Sequence, residues 1–147
     1  GSAERVESYL REKIEKKERI MGFGHRVYKA KDPRATILER YSKELAEKAG
    51  DNGNNSLYQI SKKIEDFMSS QQKLTEKGIF VNVDFYSASV YTYLDIPPSL
   101  FTPIFAASRM SGWAAQLLEQ YADNRIFRPR AKYVGAEERN YVSINKR

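Results

Sequence analysis

Apolar residues recur at helical spacing along most of the chain. Val6, Tyr9, Leu10 and Ile14 share one face of a segment from Glu4 to Arg19, with Glu and Lys around the rest, which predicts an amphipathic helix. Gly22 and Gly24 interrupt the pattern and mark "MGFGH" as a loop or turn. Asp32-Pro33 predicts a helix start: the aspartate accepts hydrogen bonds from free amides, and proline is pre-set for the first helical position. Ile37, Leu38, Tyr41 and Leu45 carry that helix on one face as far as Gly50. "GDNGNNS" is then a loop, Ser56 a cap, and Leu57, Ile60, Ile64 and Phe67 the apolar face of a third helix.

"SSQQKLTEKG" reads as an exposed polar connection. The segment after it, "IFVNVDFYSASVYTYL", supports two readings. Alternation of Val81, Val83 and Phe85 suits a strand, whereas Val83, Tyr86, Val90 and Tyr93 lie at helical spacing. Thr102-Pro103 repeats the cap-then-proline signal. Ile104, Phe105, Trp113, Leu117, Leu118 and Tyr121 then predict a long buried helix. The end, "NRIFRPRAKYVGAEERNYVSINKR", has no periodicity and reads as an extended tail over a neighbouring surface. There is no internal repeat.

Composition narrows this picture. A length of 147 residues, 41% apolar and 30% charged, suits one ordinary globular domain with a real core. No apolar run approaches the roughly 20 residues of a membrane span, and no signal-peptide pattern opens the chain. Gly1-Ser2 reads as the remnant of a cleaved expression tag and is set aside from fold reasoning. With no cysteine there is no disulfide framework; one histidine and no cysteine argue against a transition-metal site. The same absence points weakly to a cytoplasmic location. A net charge of +6 favours anionic partners, whether nucleic acid, phosphorylated cofactors or polycarboxylates.

The stretch "IMGFGHRVYKAKDPRA" holds the only histidine, His25, between glycines and a run of bases. A lone histidine is ordinarily structural, and a two-glycine loop by itself is any tight turn. Asp84, on the residues alone, is equally a helix cap, an ion-pair partner or a base. Context changes these readings. "IMGFGHRVYKAKDPRA", "NVDFYSASVY", "LFTPIFAASRMSGW" and "RIFRPRAKYVG" resemble four successive blocks of the citrate synthase family, in the family's order. They are closest in character to the bacterial branch that includes 2-methylcitrate synthases. The resemblance runs from about Ala3 to the end and corresponds to the C-terminal portion of a family member.

That resemblance implies an all-α fold, which would settle the ambiguous segment as helix. It implies a small domain over residues 3–125, with residues 126–147 as a tail packing on a neighbouring subunit or large domain. It also implies condensation of acetyl-CoA with oxaloacetate to citrate, acetyl-CoA being a co-substrate, with no further cofactor. By motif, Asp84 is the base that takes a proton from the acetyl methyl group, and His25 polarises the oxaloacetate carbonyl. Arg34 and Arg109 grip substrate carboxylates, and Arg128 is delivered from the neighbouring subunit. Gly22, Phe23, Gly24 and Lys29 are implied to lie against CoA, with Arg26 a further candidate for its phosphates. Gln116 stands where bacterial relatives often carry histidine. Two further histidines that the family uses have no counterpart here, so these 147 residues alone are expected to be inactive. A homodimer or higher homo-oligomer is implied for the whole protein.

Two other readings stay beside this one. Within the enzyme class, 2-methylcitrate synthesis from propionyl-CoA differs by one methylene, worth only about 1–3 kcal/mol in a pocket. From a different class, the charge and aromatic residues permit a basic helical module for nucleic acid or for assembly. Acidic residues are interleaved throughout and no nucleic-acid motif is present, so neither nucleic acid nor membrane is expected as a partner.

Overall fold

The computed structural model describes residues 2–51, 53, 56–135, 137 and 139–146. Gly1 and three asparagines of the "GDNGNNS" loop (Asn52, Asn54 and Asn55) lie outside them. Among the described residues every regular element is helical. They are α1 (Val6–Glu15), α2 (Pro33–Lys48), α3 (Leu57–Ser70), α4 (Gln72–Thr75), α5 (Val83–Tyr93) and α6 (Phe101–Ala122). Short 3-10 turns cover Ala3–Arg5, Pro98–Leu100 and Ile144–Lys146. Residues up to Ser108 form one compact unit and those from Arg109 onward a second. No helix of the described residues is long and apolar enough to cross a membrane.

Capping chemistry sets the helix starts. Asp32 caps α2, with Pro33 in its first turn, and the Ser56 hydroxyl accepts from Gln59 N–H at 3.1 Å to cap α3, as the sequence predicts. The first helix is shorter than its apolar pattern, since Ala3–Arg5 is a 3-10 turn capped by the Ser2 hydroxyl and α1 ends at Glu15. The ambiguous segment is helix α5 from Val83, capped by Asn82, whose side chain accepts from Asp84 N–H at 3.0 Å. Its strand-like alternation survives only in an isolated bridge between Val81 and Phe23.

The core of the first unit joins Val6 and Leu10 of α1, Phe23, Ala35 of α2, Met68 of α3, Val81 and Tyr86 of α5. Helix α2 packs on α5 through small residues. Ala35, Ser42 and Ala46 are its buried positions, and the hydroxyls of Ser42 and Ser89 are 2.7 Å apart in the interface. This corrects the expected face in part: Ile37 and Tyr41 are exposed, whereas Leu38 packs against the core and Leu45 is half-buried. Close approach of two helix backbones selects small side chains, and the larger apolar ones are left on the rim.

Two further expectations are corrected. The "SSQQKLTEKG" connection contains α4, and Leu74 and Ile79 pack against the core, so it is not simply an exposed linker. Helix α6 has no buried residue, and Trp113, Leu117, Leu118 and Tyr121 are exposed. Apolar periodicity reports that a helix has surface to bury; it does not place the covering surface within the same 147 residues. Thr102 and Pro103 fall inside its first turn, because the helix begins at Phe101. In the second unit the described residues after α6 are non-helical until the 3-10 turn at Ile144.

Candidate functional site

Two segments far apart in sequence are laced together at one end of α5. Gly24 N–H donates to the Phe80 carbonyl at 2.8 Å, and Asn82 N–H donates to the Gly22 carbonyl at 2.9 Å. The Asn82 side-chain amide adds a bond to the Gly24 carbonyl at 3.0 Å. From the other side, Asp32 N–H donates to the Val81 carbonyl at 3.1 Å. The "GFGH" loop, the start of α2 and the start of α5 thus share one hydrogen-bonded hub.

Glycine is required in that loop for two different reasons. Gly22 has φ +83° and its α-carbon backs onto Phe85: a β-carbon there would lie 2.7 Å from the Phe85 ring. Gly24 has φ +88° and faces open space. Both positions disfavour L side chains, but only the first is also sterically closed. Gly22→Ala is expected to cost about 2–4 kcal/mol, from backbone strain plus the clash, against about 1 kcal/mol for Gly24→Ala. Urea unfolding of the two variants checks this; equal losses would show that the Phe85 contact is soft.

His25 follows directly. Its Nδ1 accepts from the backbone N–H groups of Val27 and Tyr28, each at 3.0 Å, and its ring stacks on Tyr28 at 4.5 Å. With the Nδ1 lone pair taken by two donors, the neutral ring carries its proton on Nε2. The side chain is therefore set as a hydrogen-bond donor through Nε2–H, and it is only partly buried.

Arg34 is held by a neighbour that the sequence marks only as a helix cap. The buried Asp32 carboxylate receives Arg34 Nε–H on Oδ1 at 3.0 Å and Nη2–H on Oδ2 at 2.7 Å, while Oδ1 also accepts Arg34 backbone N–H at 3.0 Å. The guanidinium's hydrogen bonds hold the Asp32 carboxyl below the usual aspartate range despite the upward push of burial, and the carboxylate raises Arg34 further.

Asp84 sits in the first turn of α5, exposed, where a helix start favours negative charge. Its charge also supports the Arg34 guanidinium, by less than Asp32 does. Arg34 therefore lies within reach of the charge of both Asp32 and Asp84. Phe23 is buried in the core with its ring 5.0 Å from that of Phe85, so only its backbone is left for a ligand. Lys29 is exposed and lies against Gly78, where a β-carbon would come within 2.9 Å of its side chain; Arg26 is exposed too.

Arg109, on α6, and Arg128, in the stretch after it, are exposed residues of the second unit. The sequence reading missed Asp32 as an arginine partner and Asn82 altogether. An acid two residues before an arginine, and an asparagine two before the acid of a helix start, are the signals that could have found them. Among the described residues no group of three or more His, Cys, Asp or Glu could hold a metal ion.

Comparison with known proteins fits this arrangement. The family model described as citrate synthase, C-terminal domain, matches residues 1–130. Citrate synthase 2 of Bacillus subtilis is 53% identical over all 147 residues, and 2-methylcitrate synthase of Shewanella oneidensis is 46% identical over 92% of the chain. The chain spans 37% and 34% of those two relatives. A solved ternary complex of citrate synthase from Thermoplasma acidophilum with carboxymethyl coenzyme A and oxaloacetate superposes with TM-score 0.81 at 39% identity. That alignment covers 99% of this chain and 38% of the solved one. On the family match and these identities, the chain belongs to the citrate synthase family.

Proposed function

We propose that the protein containing these residues condenses acetyl-CoA with oxaloacetate, and that this chain supplies the base, one electrophile and the carboxylate-binding arginines. The observation that carries the reading is the hub itself. Hydrogen bonds among Gly22, Gly24, Phe80, Val81, Asn82 and Asp32 fasten the His25 loop and Arg34 to the helix that bears Asp84.

In this reading Asp84 takes a proton from the methyl group of acetyl-CoA. The enol carbon then bonds to the ketone carbon of oxaloacetate, and His25 Nε2–H donates to the oxygen on which negative charge develops. Such a donor accelerates the step because it is aimed at charge that is larger in the transition state. Water then cleaves the thioester, releasing citrate and the CoA thiol. Arg34 and Arg109 bind the dicarboxylate, joined by Arg128 of a neighbouring subunit in a homo-oligomer. CoA lies along the backbone of Gly22, Phe23 and Gly24, with Lys29 toward its phosphates. A carboxylate open to water is a weak base. The site therefore needs a cover, which closure of a further domain would supply while excluding water.

Release of thiol from acetyl-CoA in the presence of oxaloacetate tests this on the full-length protein. Sustained oxaloacetate-dependent release is the expected result; its absence would overturn the reading. The 147-residue chain by itself is expected to give none, since its one histidine already serves the ketone. The relative named 2-methylcitrate synthase, at 46% identity, supports propionyl-CoA as a second acyl donor. A higher kcat/KM for propionyl-CoA than for acetyl-CoA would transfer the assignment to it.

A further inference from the structure

Resting on the proposed function, we infer that Asp32 is the residue that positions Arg34 for its dicarboxylate, by occupying one edge of the guanidinium and leaving the other to the ligand.

A guanidinium offers five N–H donors in one plane. The side edge, Nε with Nη2, is taken by Asp32 at 3.0 and 2.7 Å. Nη1, together with the outer hydrogen of Nη2, forms the end edge, which lies outside that pair. A ligand carboxylate can therefore meet Arg34 end-on with two parallel hydrogen bonds while Asp32 stays in place. The half-exposed guanidinium, with 48% of the side chain accessible, lets a ligand reach that edge, whereas the Asp32 side chain is wholly shielded.

Asp32 is also fixed in its own right. Its backbone N–H is bonded to the Val81 carbonyl, three residues before Asp84, and its Oδ1 caps α2 through Arg34 N–H. The guanidinium plane is thus referenced to the same hub that orients His25 and Asp84. A long arginine side chain without such a partner samples many rotamers, and holding it in one lowers the entropy lost when the ligand binds. The buried carboxylate also makes the pair neutral overall before the ligand arrives, so Arg34 acts through direction rather than through surplus charge.

Asp32→Asn isolates this role, because asparagine caps a helix as well as aspartate does but cannot accept the guanidinium on both oxygens. In the full-length protein, oxaloacetate binding measured by calorimetry is expected to weaken about 10–100-fold. KM for oxaloacetate should rise in parallel, with kcat changed by less than about 3-fold and an unaltered far-UV spectrum. In an Arg34→Leu background the same substitution should cost no further affinity, since Asp32 acts through Arg34. Wild-type affinity in Asp32→Asn, or losses that multiply in the double variant, would overturn the inference by making Asp32 only a cap.

A measurement on the unaltered protein covers a variant that fails to fold. The Arg34 Nε–H resonance, assigned by its loss in Arg34→Leu, should exchange slowly with and without oxaloacetate. Rapid exchange once the ligand is added would mean that Asp32 is displaced, which also overturns it. If the wild type binds oxaloacetate without turnover, the citrate synthase reading fails while the binding comparison still decides the role of Asp32. If it does not bind oxaloacetate, the inference falls.

Discussion

Asp84→Asn is expected to lower kcat of the full-length protein by a factor on the order of 10²–10⁴, the range for loss of a positioned base. The amide is the same shape as the carboxylate but cannot take the methyl proton. Apart from the charge that Asp84 sets near Arg34, no contact at this position should change. Asn82 caps α5 by accepting from the backbone N–H of Asp84, and Ser87 bonds to its carbonyl at 3.0 Å, so neither contact involves the substituted group. Asp84 is exposed, so the substitution opens no cavity. Binding of oxaloacetate depends on the arginines, all of which remain, so KM should stay within about 3-fold of wild type. Steady-state thiol release with varied oxaloacetate separates the two parameters. An unaltered kcat would show that Asp84 is not the base.

What the sequence made legible follows from the range of each interaction. Helix starts at Asp32 and Ser56 depend on contacts two or three residues away, and their side chains announce them. The ambiguous segment depends on where its faces go. Tyr86 and Val90 are buried against α2 and α3, and no local count of apolar positions decides between that and a strand. Likewise, α2 turns Ala35, Ser42 and Ala46 inward, because the Ser42–Ser89 contact joins residues 47 apart in sequence. Hydrophobicity ranks Ile37 and Tyr41 above those small residues, but close packing reverses the order.

The site divides in the same way. His25, Arg34 and Asp84 were reached through motif resemblance, not through composition or periodicity. The residues that hold them, Asp32 and Asn82, act across the fold: Asn82 reaches the Gly24 carbonyl 58 residues away. Helix α6 shows the converse limit. Its apolar pattern is evident in the sequence, yet the chain spans only about 37% of the relatives it matches, and a pattern cannot say where its covering surface lies.

Glu65→Leu is expected to lower the unfolding free energy by about 3 kcal/mol, measured by urea denaturation near neutral pH. Glu65 is buried on α3, where the Tyr86 hydroxyl donates to its Oε2 at 2.6 Å, Lys31 Nζ pairs with Oε1 at 2.6 Å, and Lys62 Nζ lies 3.3 Å from Oε2. The three partners fare differently when the carboxylate is removed. Lys31 and Lys62 keep Glu39, at 2.6 and 3.0 Å, and both are partly open to water. Tyr86 is fully buried, and its hydroxyl loses the acceptor that Glu65 provides. The cost therefore falls mainly on the tyrosine. Adding Tyr86→Phe removes the stranded donor, so the double variant should be less destabilised than the sum of the singles by about 1 kcal/mol or more. Strict additivity would show that the two groups are not coupled.

The same network fixes the direction of the acid response. Burial pushes Glu65 upward, but hydrogen bonds from Lys31 and Tyr86 and the charges of Lys31 and Lys62 outweigh it and hold the carboxyl below its ordinary value. A carboxyl depressed in the folded state contributes stability above its unfolded pKa, about 4.3 for glutamate, and loses it as the pH falls through the folded value. The urea midpoint of the wild type should therefore drop steeply below about pH 4. The Glu65→Leu midpoint should drop less over the same interval, the Asp32 contribution being common to both. Parallel slopes would remove Glu65 from the acid transition. Tyr86 lies two residues beyond Asp84 and Lys31 immediately precedes Asp32, so this buried carboxylate ties together the two segments whose register the proposed chemistry requires.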